Sequence, residues 1–220
     1  MILGILQTGH VPDEVKTRHG DYTALYGAMF PGRGYTLKTF SVVDGAFPDG
    51  PGDADAWLVT GSRHGAYEDH DWIPPLEDLI RAIHAGGRPL VGICFGHQIV
   101  AQALGGRVEK FSGGWSTGRT LYDFEGVPLA LNAWHQDQVI RPPEGAETIA
   151  SGRRCAHAAL RIGPHTLTVQ AHPEFDARAI RGLIEHRSGS VPAERLAQAE
   201  AGLALPVDNA RIAQIGRAHV

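Results

Sequence analysis

The sequence predicts an α/β fold: a mostly parallel central sheet flanked by helices, with a small antiparallel β subregion. Three observations predict it. In the first half of the chain, short apolar runs alternate with segments of helical periodicity, the order that builds a parallel sheet covered on both faces. From Arg107 to Ala171 the pattern changes to short β-rich pieces separated by turns. Helical spacing then returns from Asp176 to His186.

Taken in order, Ile2 to Gln7 reads as the first strand and Asp13 to Met29 as a mixed or helical segment. Thr36 to Val43 and Trp57 to Thr60 supply two more strands. Pro74 and Pro75 suit a first helical turn, where a missing N–H leaves no bond unmade, and Leu76 to Ile83 carries helical spacing behind them. After Pro89, the run Leu90-Val-Gly-Ile93 is a buried strand, and Gln98 to Leu104 places Ile99, Val100, Ala103 and Leu104 at helical spacing. Within the β-rich stretch, Thr120 to Phe124, Ala158 to Ile162 and Thr166 to Gln170 read as strands. Ser188-Gly-Ser-Val-Pro192 marks a break, followed by two short Ala-rich helices from Ala193 to Ala201 and from Asp208 to Ile215. The expected organisation is one domain over residues 1–190 with a C-terminal helical extension over 191–220. A surface for an oligomer or partner is the alternative role for that tail.

Composition narrows the function classes. A chain of 220 residues can bury a full core as one domain, although two small domains also fit that length. A formal charge of −4 and a pI near 6.3 show no basic excess, which argues against nucleic acid as a partner. Two cysteines, Cys94 and Cys155, make no disulfide framework. The apolar start, Met1 to Gln7, is too short to span a membrane and lacks the basic start and cleavage site of a signal peptide. A reducing cytoplasm is the default compartment.

Cys94 carries the chemistry. It lies in Gly92-Ile-Cys-Phe-Gly96, on the turn between the predicted strand and helix, where two glycines let the elements crowd around an exposed nucleophile. A free thiol of pKa near 8.5 is only about 3% thiolate at pH 7, so the site needs a helix N-terminus and an imidazolium beside it. His172-Pro-Glu174, after the strand-like Leu167 to Ala171, supplies a base and a carboxylate to orient it. A Gly-x-Cys-x-Gly pattern alone is more often a small core residue than a nucleophile. The joint occurrence of strand, elbow and downstream His-x-Glu favours catalysis.

Cys94-Phe-Gly-His-Gln98 together with His172-Pro-Glu174 resembles the class I (triad) glutamine amidotransferase family, closest to stand-alone domains similar to the amidotransferase part of GMP synthase. Trp57-Leu-Val-Thr-Gly-Ser62, Ala103-Leu-Gly-Gly-Arg-Val108 and Ala133-Trp-His-Gln-Asp-Gln-Val139 fit the same pattern in the same order, and the likeness spans residues 1–190. The resemblance implies a flavodoxin-like sheet and a Cys94, His172 and Glu174 triad. It also implies an oxyanion hole from the backbone N–H groups of Gly61 and Phe95, with the substrate held by Gln98, Trp134 and His135. Its chemistry needs no cofactor: the glutamine amide is hydrolysed through a γ-glutamyl thioester, giving glutamate and ammonia. The ammonia commonly serves a synthetase, and no motif for one follows residue 190. Three readings stay open: an ammonia donor for a separate synthetase, a stand-alone γ-glutamyl peptide or conjugate hydrolase, and a non-enzymatic regulatory module on the same fold. Gln98 also reads as a helix residue satisfying a neighbouring loop, and His135 and Asp137 as residues ordering their own loop.

Two further stretches invite other readings. His64-Gly-Ala-Tyr-Glu-Asp-His-Asp71 gathers potential ligands, but carboxylates beside histidines in a polar loop are usually solvated, so no metal site is expected. Ser112-Gly-Gly-Trp-Ser-Thr117 resembles a nucleotide-gripping loop, yet it precedes a strand, whereas phosphate cradling needs a helix N-terminus.

Overall fold

Alternation along the strands decides what each face of the sheet buries. The computed structural model describes residues 1–11, 16, 20–29 and 34–212. In chain order the elements are β1 (Ile2–Leu6), α1 (Tyr22–Met29), β2 (Thr36–Phe40), β3 (Ala56–Val59), α2 (Ile73–Ala85), β4 (Leu90–Ile93), α3 (Phe95–Ala103), β5 (Arg107–Lys110), β6 (Ser116–Phe124), β7 (Val127–His135), β8 (Asp137–Arg141), β9 (Ala146–Gly152), β10 (Cys155–Ile162), β11 (Thr166–Val169), α4 (Ala177–His186) and α5 (Ala193–Ala201). Of the segment expected to be mixed or helical, residues 13–15 and 17–19 lie outside the described residues.

Leu6, Trp57 and Val59 face one apolar cluster, which α2 and α3 cover through Leu76, Ile80, Ile83, Phe95 and Ile99. Their neighbours Leu3, Ile5, Ala56 and Leu58 face a second cluster, covered by α1 and α4 through Tyr22, Tyr26, Ile180 and Leu183. Successive side chains of a strand point to opposite faces, so one run of apolar residues serves two layers. The inner strands β1, β3 and β4 are accordingly apolar throughout, with β3 buried at every residue, while the edge strand β2 carries Lys38 and no buried residue.

The sheet runs β2-β1-β3-β4-β11-β10-β9-β6-β7. From β2 to β11 its pairs are parallel, and from β11 to β7 they are antiparallel. The β-rich stretch that begins at Arg107 therefore forms no separate layer: four of its strands prolong the parallel sheet edge to edge, while β5 and β8 pair apart from it. Strand β11 is the joint, parallel to β4 on one side and antiparallel to β10 on the other.

The tail packs onto the antiparallel part. Helix α5 lies on β6 with Ala199 against Gly118, where a Cβ would fall 2.6 Å from the Ala199 Cα. Residues 209–212 are helical, residues 213–215 of the expected last helix lie outside the described residues, and Ile212 is buried in a third apolar cluster. Asp208 pins this end to β7: its N–H donates to the Ala130 carbonyl (2.7 Å), and the Ala130 N–H donates to its carboxylate (2.8 Å). Among the described residues, no helix is long and apolar enough to cross a membrane.

The junction of β4 and α3 has no room for side chains. A Cβ on Gly92 would lie 2.5 Å from the Gly96 carbonyl oxygen, and one on Gly96 would overlap the Val59 carbonyl. Gly96→Ala is expected to destabilise the protein by about 3 kcal/mol or more, because backbone rather than a side chain must yield. A urea unfolding curve with an unchanged midpoint would show that the junction tolerates a methyl group.

Candidate active site

Cys94 occupies that junction. It ends β4 at φ 55° and ψ −104°, a left-handed value that among described non-glycine residues only Glu125 shares. An L-residue holds such a conformation at a cost of about 1–3 kcal/mol, sustained by its surroundings. Here the restraint is visible: the Cys94 N–H donates to the Val169 carbonyl of the neighbouring strand (2.9 Å), and the Gly96 N–H donates to the Thr60 carbonyl (3.0 Å). The sulfur is thereby aimed off the carboxyl edge of the sheet, the position from which α/β folds work.

His172 comes from the loop after β11. Its own N–H donates to the Asn132 carbonyl (2.8 Å), which fixes the backbone, and its ring stacks on Phe175 at 4.1 Å between centroids and 8° between planes. Glu174 accepts from His172 Nδ1 at 2.7 Å, and both side chains are buried. A carboxylate only accepts, so Nδ1 carries a proton and Nε2 is left for chemistry. The Tyr26 hydroxyl donates to the same Glu174 Oε1 at 3.2 Å. Burial by itself would lower the His172 pKa, yet the Cys94 sulfur and the Glu174 carboxylate beside the ring outweigh it and raise the pKa to about 10.

The remaining residues expected at the site gather round this pair. Gly61 touches the imidazole: a Cβ there would lie 2.9 Å from His172 Cε1 and 3.1 Å from the Tyr22 hydroxyl. Phe95 begins α3, with its ring buried against Trp72. Gln98 lines the cleft but spends its amide protons on the protein, donating to the Asp137 carbonyl (2.8 Å) and to Gln170 Oε1 (3.1 Å). It ties the start of β8 to the end of β11, the loop-satisfying role open to it from sequence, and its oxygen is left as an acceptor. His135 likewise orders its own loop, with Nδ1 at 3.2 Å from the Asp137 carbonyl, while its buried Nε2 has no protein partner. Burial holds its pKa down near 3, so the ring is neutral. Trp134 lines the cleft with its ring against Trp115 at 6.4 Å.

The cleft over Cys94 and His172 measures about 450 Å³. Three contributors were not legible as site residues: Tyr26 beneath Glu174, Asn132 behind His172, and Phe175 against the imidazole. Phe175 directly follows His172-Pro-Glu174 and could have been drawn from that position. Tyr26 and Asn132 arrive from distant segments with no local signal.

A cysteine in a tight strand-to-helix turn, with a buried His-x-Glu in the loop after the adjoining parallel strand, is the arrangement that cysteine-dependent amide-cleaving folds use. The family model for glutamine amidotransferase class-I matches residues 48–184, so the chain belongs to that family. Gamma-glutamyl peptidase 3 of Arabidopsis thaliana is 31% identical over 189 residues, 78% of this chain and 76% of that protein. A GMP synthase (glutamine-hydrolyzing) of Thermotoga maritima is 32% identical over 165 residues, 70% of this chain and 31% of that protein. The crystal structure of a glutamine amidotransferase from Methylobacillus flagellatus shares the fold, with a TM-score of 0.77 at 21% identity over 100% of this chain and 92% of the other.

The buried neutral histidines make an acid-stability prediction. Burial first, and then the neighbouring His135, depress the His97 pKa to about 3, as burial does for His135. Below about pH 6.5 the unfolded chain binds protons at both positions and the folded chain does not until pH approaches 3, so stability falls as pH drops through that window. Each histidine contributes up to about 1.4 kcal/mol per pH unit. His172, with a raised pKa, is protonated in both states there and adds nothing. His135→Asn is expected to shallow the pH dependence of urea unfolding between pH 6.5 and 4. An unaltered slope would mean that His135 is not buried neutral.

Proposed function

We propose that the protein hydrolyses γ-glutamyl amides by covalent catalysis at Cys94, and that its preferred substrates are γ-glutamyl peptides or conjugates. The observation that carries the chemistry is Cys94 in its left-handed elbow beside a His172 already oriented by Glu174. Cys94 Sγ attacks the γ-carbonyl carbon; the C–N bond breaks, and the proton on His172 Nε2 passes to the leaving nitrogen. Water, deprotonated by His172, then cleaves the thioester and frees glutamate and the thiol. The N–H groups of Phe95 and Gly61 face the oxyanion in this scheme, each stabilising the transition state by about 3 kcal/mol. The neutral His135 Nε2 and the Gln98 oxygen are acceptors suited to the substrate's α-ammonium group, with Trp134 walling the same end.

The leaving group is the finer question. A cleft of about 450 Å³ lies within the roughly 300–1,000 Å³ that holds drug-sized ligands, larger than glutamine needs. Similarity over most of both chains to a γ-glutamyl peptidase supports the same reading. Likeness to the amidotransferase part of a GMP synthase favours the second one, glutamine hydrolysis feeding ammonia to a separate synthetase. On either reading the tail from residue 191 is an extension of a single amidotransferase domain. The free thiols of Cys94 and Cys155 suit a reducing cytoplasm.

Cys94→Ala is expected to lower turnover by at least about 10⁴-fold. Unchanged hydrolysis would remove the nucleophile assignment. Glu174→Gln is expected to cost about 10³- to 10⁴-fold in kcat while near-UV circular dichroism stays native. Because the carboxylate helps raise the His172 pKa, its loss should also move the alkaline limb of the pH profile from about 10 to lower pH. A limb that does not move would deny Glu174 its orienting role. Steady-state comparison of γ-glutamyl dipeptides with glutamine is expected to favour the dipeptides in kcat/KM; a preference for glutamine would select the ammonia-donor reading.

A further inference from the structure

We propose that His64, Glu68 and His70 form a binding site for a divalent transition-metal cation of the zinc type at the rim of the cleft. In sequence this loop reads as a solvated cluster. The fold instead turns both imidazoles onto one carboxylate oxygen: Glu68 Oε2 lies 3.4 Å from His64 Nδ1 and 2.9 Å from His70 Nε2. Tetrahedral zinc, with bonds of about 2.0–2.2 Å, places neighbouring ligand atoms roughly 3.3–3.5 Å apart. The three atoms lie within 4.8 Å of one another, so only small side-chain movements separate them from that arrangement.

Ligand chemistry and support agree with the distances. Two imidazoles and one carboxylate are a set that zinc uses with three protein ligands, leaving a fourth position for water or an anionic group. Arg63 opposes a cation, and the Glu68 charge offsets it. The rings stand on an aromatic base: His70 lies flat on Trp72 (5.9 Å, 11°), His64 meets Trp72 edge-on (5.8 Å, 67°), and Trp72 leans on Phe95, the residue after Cys94. Such a base limits the rotamer freedom that binding would otherwise have to remove. His64 and Glu68 also line the cleft that Cys94 lines, so the bound ion would stand where substrates enter.

The test uses the tag-free full chain carrying Cys94→Ala, which removes the competing sulfur ligand and makes the result independent of the proposed activity. Titration with zinc chloride, followed by calorimetry, is expected to show one ion per chain and a rise in Tm. Glu68→Gln and His70→Ala, both at accessible positions, are each expected to weaken binding at least about tenfold. No uptake by the folded Cys94→Ala chain, or uptake unaltered by either loop substitution, would overturn the assignment and leave any bound zinc to other histidines.

Discussion

The close packing of α3 against β3 and β4 is the constraint on which the site depends. With hydrogen alone at Gly92 and Gly96, the first turn of α3 reaches the Val59 carbonyl, and the chain can pass from strand to helix in one residue. That residue is Cys94, and the passage forces its left-handed backbone. Strain there follows from packing elsewhere: the hydrogen bonds to Val169 and Thr60 anchor the two sides of the elbow to different strands. The Cys94 side chain is therefore oriented by its hydrogen-bonded neighbours in the sheet.

Charge at the site is arranged in a short chain. Cys94 and Glu174 both stabilise a protonated His172 against the cost of burying it, and Tyr26 donates to the carboxylate oxygen that His172 uses. A buried carboxylate with two donors on one oxygen is held in place more firmly than one with a single partner. Phe175 closes the face of the imidazole, and both Asn132 and Asn209 donate to its carbonyl, at 2.9 and 3.0 Å. The C-terminal segment is thus tied to the loop that carries His172 as well as to β7.

Sequence reading recovered what is encoded locally. Gly92 to Gly96 and His172 to Glu174 are contiguous motifs whose chemistry follows from residue type and spacing, and the strands and helices flanking them follow from apolar periodicity. Pairing between distant segments carries no such mark. Nothing near Tyr26 points to Glu174, and nothing near Gln98 says that its amide protons are consumed by Asp137 and Gln170. The β-rich stretch was visible as a change of pattern at Arg107, but its edge-to-edge continuation from β11 depends on which strand finds a free edge. The loop from His64 to His70 was legible as a list of ligands and illegible as an arrangement, because Trp72 and the turn of the loop set the direction of each ring.

The pairing of β11 with β4 has a temporal meaning. Val169 sits beside Ile93 in register, so Cys94 and the loop bearing His172 become neighbours only through a contact between segments far apart in the chain. Contacts of that kind bear a loop-closure cost and form slowly compared with local ones. During synthesis Cys94 leaves the ribosome well before His172 does, and the two become neighbours only when the slot between β4 and β10 is filled. The proximity of the two side chains is in this sense a product of long-range pairing, reached when the last parallel strand takes its place.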